Sequence, residues 1–482
     1  MATRLTLDQE SPGSIPGGAI RRIGLTAFLL AGAFGCSDST APRPPGAVAT
    51  VTITPDSVTL GVHDAISLTA VARDSSGAIL QEIFVWASSD TSVAKVTQSG
   101  GITGIGRGVA TVTATVDGKS GSATVVITVA FTQMSVGNSH VCDLKPTGVA
   151  YCWGNDQSGE VGDGSSGLVP APAEVLGNLA FSQITSGRYH SCALTPSNDA
   201  YCWGNDSTGQ LGIGLVTASR ATPQAVLGSV KFAAIAANGF HTCALTAGGI
   251  AYCWGANEFG QLGDNSTAQR TTPVLVAGGL TFSAISPGRY HTCGLTTAGA
   301  AYCWGYGHDG SLGDSTTAND SVPRAVSGGL TFGSISAGFN HTCAMTMGGA
   351  AYCWGAGEFG QLGSNSTSGD SVPVPVSGGL TFRSINAGQG NSCGIVADST
   401  AYCWGNNVSG GVGDSSFIER HVPTAVVGGL RFSSVGAGAG YACGLTTAGW
   451  AYCWGYGGQG QLGVGVFQVS TYPLGVMGQH DD

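Results

Sequence analysis

Cysteine is the residue whose spacing most restricts the chemistry of this chain. The chain has 15 cysteines, and fourteen of them fall in pairs ten positions apart. The pairs are Cys142 and Cys152, Cys192 and Cys202, Cys243 and Cys253, Cys293 and Cys303, Cys343 and Cys353, Cys393 and Cys403, and Cys443 and Cys453. An even set of this kind predicts disulfides formed in an oxidising compartment. Free buried cysteines are the alternative, and a metal site is disfavoured because two cysteines lack the further ligands that zinc requires.

Histidines and carboxylates recur near these pairs and are the other candidates for chemistry. A histidine precedes the first cysteine by two positions in five pairs, as His140, His190, His241, His291 and His341. One histidine per unit would suit metal binding or acid–base catalysis, but its regular repetition favours a structural hydrogen bond. Aspartates recur in turns farther along each unit, as Asp163, Asp264, Asp314 and Asp414. We expect these aspartates to cap turns, with calcium binding as the alternative.

The elements that position these residues repeat with the cysteines. The first cysteines of successive pairs are 50 or 51 residues apart, so residues 130–482 contain seven copies of one unit. In the fourth copy, the loop at 297–299 places Gly299 where a three-residue hairpin needs a left-handed residue. This hairpin sets Cys293 opposite Cys303, and Gly294 opposite Tyr302, where a small residue leaves room for the ring. Asp143 departs from that pattern in the first copy.

Four short strands per copy are the content of a propeller blade. The chain has 80 glycines and only 10% charged residues, which indicates many tight turns and little helix. The last copy lacks the Phe-x-x-Ile strand, and the first copy begins with a segment at Phe131 that can supply it. The fold class that we predict is therefore all-β, a seven-bladed β-propeller closed on itself and preceded by a β-sandwich.

The N-terminal residues predict export. Arg21 and Arg22 precede an apolar run that is too short to span a bilayer but suits a signal peptide. Residues 33–36 resemble a bacterial lipobox, although Ala33 stands where leucine is usual, and this resemblance implies lipidation of Cys36. We therefore predict a signal peptide at 1–36 and a proline-rich linker at 37–47. The chain would be held at the bacterial cell envelope, at the outer membrane or the cell surface, through a lipid anchor only.

Residues 48–129 alternate apolar and polar residues in short β-branched runs, which predicts an antiparallel sandwich. The segment from Val85 to Ala94, with the glycine-flanked runs at 101–104 and 108–112, resembles a bacterial immunoglobulin-like domain of group 2. That resemblance implies a spacer at the cell surface, with an adhesive stalk as the alternative.

The repeated strings Gly-x-x-His-(Thr/Ser)-Cys-x-Leu, Ala-Tyr-Cys-Trp-Gly and Gly-Gln-Leu-Gly closely resemble the regulator-of-chromosome-condensation repeat. The resemblance implies a seven-bladed propeller, one face of which grips a protein. The nuclear nucleotide-exchange role of the family's best-known member does not carry over to an exported, acidic chain, because fold does not fix function.

The two residues before each histidine position are variable, and in the relatives they lie on the binding face. Copies two to five place arginine and aromatic residues there, which are the types enriched in interface hot spots. We predict a partner-binding surface formed by Arg188, Tyr189, Phe240, Arg289, Tyr290 and Phe339. The alternative is that these rings only pack the blade edges. The tryptophans of the Cys-Trp-Gly strings are expected in the core, and Trp450 at the surface.

Charge and motif content restrict the function. The net charge of −10 comes without a basic cluster, so nucleic acid is not an expected partner. No residues converge on a nucleophile or an acid–base pair, so we predict no enzyme, no cofactor and no metal. The expected function is that of a monomeric binding module with a protein or glycan partner. A structural surface protein without a ligand is the alternative, and a periplasmic hydrolase or lyase a remote one.

Overall fold

The computed structural model describes residues 46–61, 64–105, 108–128 and 131–477. The predicted signal peptide with Cys36, and residues 37–45 of the predicted linker, lie outside these ranges. Every regular element within them is a β-strand, so the all-β prediction is confirmed. No helix in this part of the chain is long and apolar enough to cross a membrane.

Ten strands precede the repeats. They are β1 (Thr50–Thr54), β2 (Ser57–Gly61), β3 (Ala65–Ser67), β4 (Thr69–Arg73), β5 (Ile79–Leu80), β6 (Val85–Ser88), β7 (Ala94–Val96), β8 (Gly101–Gly104), β9 (Gly108–Val116) and β10 (Lys119–Thr128). They form three sheets with the strand orders β1-β4-β5, β2-β10-β9-β6 and β3-β8-β7.

Alternating residues give these sheets a common apolar core. In β9, Ala110 and Val112 are buried whereas Thr111 between them is exposed, because successive side chains of a strand point to opposite faces. The expectation of a purely antiparallel sandwich was wrong, since β2 runs parallel to β10, with Val58 beside Val125. Pro55 lacks a backbone N–H and interrupts the strand after β1, and the chain then continues as β2 in a different sheet.

The repeats form seven four-stranded sheets, each hydrogen-bonded in chain order. The first three are β11 (Gln133–Val136), β12 (His140–Leu144), β13 (Ala150–Asp156), β14 (Gly167–Glu174); β15 (Gln183–Ser186), β16 (His190–Leu194), β17 (Ala200–Asn205), β18 (Ser219–Ala225); and β19 (Ala234–Asn238), β20 (His241–Leu245), β21 (Ala251–Gly255), β22 (Arg270–Leu275). The fourth and fifth are β23 (Phe282–Pro287), β24 (His291–Thr296), β25 (Ala301–Gly305), β26 (Asp320–Ala325); and β27 (Ser334–Ala337), β28 (His341–Met345), β29 (Ala351–Gly355), β30 (Asp370–Pro375). The last two are β31 (Phe382–Ala387), β32 (Asn391–Val396), β33 (Ala401–Gly405), β34 (Arg420–Ala425); and β35 (Phe432–Ala437), β36 (Tyr441–Thr446), β37 (Ala451–Gly455), β38 (Ser470–Gly475).

The central hairpin of each sheet has the register that the sequence predicts. In the fourth sheet Cys293 is opposite Cys303, and Gly294 is opposite Tyr302. The cysteines of all seven pairs are bonded as disulfides between the second and third strands, with their Cα atoms 4.1 Å apart. A covalent bond therefore links the two middle strands of each of the seven repeat sheets.

A repeated polar contact, here called a joint, connects each of the first five sheets to the next. At the joint between the third and fourth sheets, His241 Nε2 lies 2.8 Å from Thr292 Oγ1. The Thr292 hydroxyl donates to the carbonyl of Gln261 at 2.8 Å, and the indole N–H of Trp304 donates to the same oxygen at 3.0 Å. Because the hydroxyl proton is already donated, His241 donates from Nε2, and its Nδ1 is buried without a hydrogen-bond partner among the described residues. The same contacts recur for His140, His190, His291 and His341.

The contacts of the sixth sheet with the seventh and of the seventh with the first have neither the histidine nor the Ser or Thr of the joints, and the Asn391 amide has no hydrogen-bond partner among the described residues. Asn391 faces the seventh sheet, where alanine (Ala442) occupies the hydroxyl position, and Tyr441 faces the first sheet, where valine (Val141) does. The Tyr441 hydroxyl lies 2.9 Å from the carbonyl oxygen of Gly137 in the first repeat. Trp153 of the first sheet donates to the carbonyl of Gln461 in the seventh repeat at 3.1 Å. The last sheet is thus hydrogen-bonded to the first.

The first strands of all seven sheets surround one central cavity of about 220 Å³. Small residues line it, among them Ser135, Thr185, Ala236 and Ser336. A side chain of one sheet often accepts a backbone N–H of the next, as Thr185 Oγ1 does from Ala237 at 3.0 Å. These contacts hold the loops at the ends of the first strands in place around the cavity.

In three of the repeat sheets, the glycine opposite the tyrosine makes room for a different ring from the one that the sequence predicts. A Cβ atom at Gly294 would lie 2.6 Å from the ring of Phe282, and Gly394 and Gly444 are equally close to Phe382 and Phe432. The phenylalanine belongs to the first strand of the same sheet, whereas the sequence interpretation considered only the tyrosine across the hairpin. The small-residue column was correct, but the ring it accommodates in these three sheets is the phenylalanine.

Trp450 is 7% exposed, so the expectation of an exposed ring was wrong. It lies at the tip of the last hairpin, where the carbonyl of Gly449 accepts the backbone N–H of Phe131 at 3.1 Å. The segment that begins the first repeat therefore runs beside this tip and helps to bury it.

Asp143 carries the only carboxyl group at this position of the seven hairpins. Its side chain is fully buried, and neither oxygen has a hydrogen-bond partner among the described residues. Burial raises the pKa of this carboxyl well above its ordinary value. Because the pKa is higher in the folded state than in the unfolded state, Asp143 lowers stability increasingly as the pH rises above about 4.

We expect Asp143→Ala to raise the free energy of unfolding at pH 8 by about 2 kcal/mol, because it removes a buried group without a partner. Alanine fits this position in other sheets, as Ala193 and Ala244 show. Urea unfolding of both proteins at pH 8 and pH 5 measures the effect, which should be smaller at pH 5. A variant less stable than the wild type at both pH values would show that the carboxyl has a favourable partner.

Candidate functional site

The six predicted binding residues lie in four lead-in loops, each of which precedes the second strand of a sheet. Arg188 and Tyr189 precede β16, and Arg289 and Tyr290 precede β24, while Phe240 and Phe339 lie before β20 and β28. Backbone hydrogen bonds connect the loops of neighbouring sheets, for example from the Arg289 N–H to the Gly338 carbonyl at 3.0 Å. The six residues are therefore placed side by side at one end of the central cavity.

The structure brings these six residues into one connected group, here called the Arg–aromatic cluster. The guanidinium carbon of Arg188 lies 5.0 Å from the ring centre of Tyr189 and 5.1 Å from that of Phe240. It is also 5.7 Å from the ring centre of Phe339, and that of Arg289 is 5.0 Å from the same ring. Arg289 lies 4.6 Å from the ring of Tyr290. These distances are those of cation–π contacts.

Phe339 is the centre of the cluster. Its side chain is only 6% exposed and lines the central cavity, whereas the other five residues are half-buried. Arg188 reaches it from the second sheet although Phe339 belongs to the fifth, so the cluster extends across the end of the cavity. The rings are thus partly packed, as the blade-edge alternative requires, and partly accessible, as a binding surface requires.

Gly239 occupies the position in the third repeat where the second and fourth have arginine. Its φ is +47°, and a Cβ atom there would lie 2.2 Å from the carbonyl oxygen of Arg289. No other residue type fits this close approach of two loops. The third repeat therefore contributes only Phe240 to the cluster.

Arg188 and Arg289 have no ion-pair partner within the part of the chain that the structure describes, although Glu358 lines the same pocket as Arg289. Neither arginine forms an ion pair, and the Nε atoms of both are buried without a hydrogen-bond partner. Four arginines elsewhere form ion pairs, among them Arg270 with Asp264 at 2.7 Å and Arg420 with Asp414 at 2.6 Å. The cluster is thus a local cationic site on a chain of net charge −10.

Further aromatic residues adjoin the cluster, and the sequence analysis missed them. The ring centre of Phe259 lies 5.2 Å from that of Tyr290 and 5.0 Å from that of Tyr306. The signal was present, because Tyr306 follows a Cys-Trp-Gly string directly, where the second repeat has Asn205. The predicted binding surface was based on the variable residues before the histidines alone.

The surface changes character at the sixth and seventh repeats. A pocket of about 330 Å³ is lined by Arg289, Phe339 and Phe359 on one side. Glu358 also lines it, together with polar and small residues, namely Asn340, Gln389, Gly390, Asn391, Asn406, Ala439 and Gly440. The accessible face is therefore aromatic and cationic over the second to fifth sheets and polar over the next two.

The five histidines that precede the cysteine pairs form the joints between sheets. Burial lowers the pKa to about 3 for His140, His190, His241 and His341 and to about 4 for His291. Among the described residues, no group of three or more His, Cys, Asp or Glu side chains is arranged to hold a metal ion. These histidines are neutral and occupied by hydrogen bonds between sheets.

The aspartates of the turns accept hydrogen bonds within their own turns. Asp264 Oδ1 accepts the hydroxyl of Ser266 at 2.7 Å and its backbone N–H at 3.1 Å. Asp163, Asp314 and Asp414 accept the corresponding backbone N–H groups. This is the turn-capping role that the sequence favoured over calcium binding.

Known proteins share this architecture. A sequence model of the family described as RCC1-like domain matches residues 68–377, which is more than half of the chain. Human WBSCR16 is a similar solved structure, with a TM-score of 0.61 and 19% identity, covering 66% of this chain and 87% of that one.

Two yeast structures are similar to the same extent. Yeast RCC1 (Prp20), solved bound to Kap60, has a TM-score of 0.62 and 24% identity, covering 69% of this chain and 84% of its own. Prp20p from Saccharomyces cerevisiae, described with its binding properties to Gsp1p and histones, has a TM-score of 0.62 and 25% identity, covering 69% and 87%. The fold of the repeats is therefore that of a β-propeller, and the chain belongs to the RCC1-like domain family.

Proposed function

We propose that this chain is a non-catalytic binding module of the bacterial cell envelope, and that its Arg–aromatic cluster binds a protein partner. In this proposal the seven sheets are the blades of a closed, monomeric propeller. Residues 48–129 form an immunoglobulin-like spacer, residues 1–36 direct export, and Cys36 carries the lipid. The seven disulfides support folding in an oxidising compartment.

One observation carries the proposal. Two arginines without ion-pair partners lie on a connected set of half-buried rings at the end of the propeller axis. Arginine and aromatic residues contribute most of the energy at protein interfaces, because they bury a large apolar area and keep a polar group for the partner. The yeast RCC1 proteins, which share this fold, have protein partners, since one structure is bound to Kap60 and the other is described with Gsp1p and histones.

Alanine substitution of two cluster tyrosines tests the proposal. We expect Tyr189→Ala with Tyr290→Ala to abolish capture of a discrete protein from envelope extract by the immobilised, purified full chain. A hot-spot residue contributes about 2 kcal/mol, or roughly 30-fold in affinity, so losing two should remove the partner. Mass spectrometry of the captured proteins, from the wild type and the variant in parallel, provides the measurement.

Tyr472 supplies the matched control, because it is 52% exposed and lies in the last strand of the seventh sheet. Tyr472→Ala should retain the partner. The proposal fails if the double variant captures the same protein as the wild type. It also fails if the double variant loses its cooperative thermal transition, because the rings would then serve packing alone.

A further inference from the structure

We propose that Arg188 and Arg289 together bind a carboxylate of the partner at the end of the central cavity, so that the ligand is an acidic segment of a protein. This inference rests on the proposed function and specifies the chemistry of the same surface. It concerns the charge of the ligand, which the tyrosine substitutions do not test.

The arginines lack what buried or half-buried charges in folded proteins usually have. A guanidinium removed from water needs hydrogen bonds or an opposite charge, and ring faces replace only part of its hydration. Among the described residues, Arg188 and Arg289 have neither an ion pair nor a hydrogen bond at Nε. In contrast, Arg270 and Arg420 each pair with an aspartate six positions earlier in the chain.

The two charges also share one aromatic ring. Both guanidinium groups contact the ring of Phe339, at 5.7 and 5.0 Å from its centre. Like charges near one ring repel, and an anion between or beside them would relieve that repulsion. A carboxylate suits this position because its two oxygens accept paired N–H donors from guanidinium groups.

The shape of the site restricts how the carboxylate arrives. The cavity below the cluster is about 220 Å³ in volume, and its walls carry small side chains such as Ser186, Ser286 and Ser336. This volume accommodates a side chain or a chain end but not a helix or a strand. We therefore expect an Asp or Glu side chain, or a C-terminal carboxylate, to enter end-on while the flanking residues lie on the surrounding rings.

The partner's charge must act locally. The chain has a net charge of −10, so at long range it repels an acidic ligand. A preference for an acidic segment can therefore arise only from a cationic site that is partly shielded from water, as the Arg–aromatic cluster is. Removal of the two positive charges should leave no such preference.

The test uses two fluorescently labelled peptides, hexaglutamate and hexaglutamine, as probes for the purified full chain. We expect hexaglutamate to bind at least tenfold more tightly than hexaglutamine. Arg188→Gln with Arg289→Gln should reduce that ratio to one or below. The control with the same change of net charge is Arg324→Gln with Arg431→Gln, two exposed arginines of other loops and strands, and it should keep the ratio.

For weak binding, the side-chain Nε–H signals of Arg188 and Arg289 in NMR spectra provide a second readout. They should shift on titration with hexaglutamate and not with hexaglutamine. Equal or undetectable responses to both peptides overturn the inference. If envelope protein is still captured through Tyr189 and Tyr290 in that case, the proposed function stands and only the acidic ligand is wrong. If the chain shows neither the preference for hexaglutamate nor capture of an envelope protein through Tyr189 and Tyr290, the proposed function is contradicted as well.

Discussion

Acidification to about pH 5 should unfold the propeller cooperatively, through the five histidines of the joints. Each is fully buried, and burial lowers its pKa from 6.5 to about 3, or about 4 for His291. The unfolded chain therefore takes up protons below pH 6.5 that the folded chain does not, and stability falls as the pH falls through this range. At pH 5 the loss is about 2 kcal/mol per histidine, or roughly 10 kcal/mol in all. This is comparable to the whole stability of a typical domain.

Urea unfolding followed by circular dichroism between pH 7.5 and 4.5 measures the effect. Near pH 4.5, the slope of the unfolding free energy against pH should approach the value for an unfolded chain that binds five more protons than the folded chain. Asp143 changes this slope in the opposite direction, because its carboxyl is already protonated in the folded state.

The chain itself provides the matched control for this prediction. Between the sixth and seventh sheets, Asn391 stands at the histidine position and Ala442 at the hydroxyl position, so the pair His241→Asn with Thr292→Ala imports a combination that the fold already accepts. This double variant should lower the slope of the unfolding free energy against pH by the equivalent of one proton. NMR signals of the five joint histidines that titrate near pH 6.5 in the folded protein would contradict the neutral state of the joints.

Reduction of the disulfides should destabilise the propeller by even more. Each bond closes a loop of about ten residues and, on the chain-entropy estimate, contributes about 2.7 kcal/mol, or roughly 19 kcal/mol for seven. Strands held by so many glycine turns have a large conformational entropy when unfolded. We expect the reduced chain to lose its cooperative thermal transition at neutral pH, which differential scanning calorimetry with and without reductant measures.

A single pair isolates the contribution of one disulfide. Cys293→Ala with Cys303→Ala should lower the free energy of unfolding by about 2 to 3 kcal/mol, because the variant loses one disulfide. The two cysteines are fully buried, and alanine at these positions introduces little strain. Thiol titration of the unfolded, unreduced chain should detect none of the fourteen repeat cysteines. Fourteen reactive thiols in that experiment would contradict the pairing.

Local patterns in the sequence predicted most of the repeat. The hairpin register, the cysteine pairing and the structural role of the histidines followed from residues close in sequence, such as Cys293, Gly299 and Cys303. The grouping of the six cluster residues was also predicted, because seven aligned copies show which positions vary, whereas their role in binding stays a prediction. Repetition therefore provided information on long-range arrangement that a single unit would not contain.

The errors concern contacts between distant segments. Phe282 fills the space beside Gly294 from a different strand, and Trp450 is buried beside the start of the first repeat. The parallel pairing of β2 with β10 likewise joins segments more than sixty residues apart. Phe259 and Tyr306 meet Tyr290 only because neighbouring sheets pack together. The phenylalanine contact recurs in several repeats and Tyr306 stands at a variable position, so these two had a signal in the sequence, whereas the contacts of Trp450 and of β2 occur once and had none.

Site-specific photocrosslinking in the native envelope tests the binding surface most directly. A photoreactive phenylalanine analogue at Phe240 or Tyr290 should give one discrete protein adduct. The same analogue at Met347, which is 87% exposed at a hairpin tip away from the cluster, should give none. An adduct at Met347 with none at Phe240 or Tyr290 would show that the partner, if it binds the propeller, does not bind the Arg–aromatic cluster.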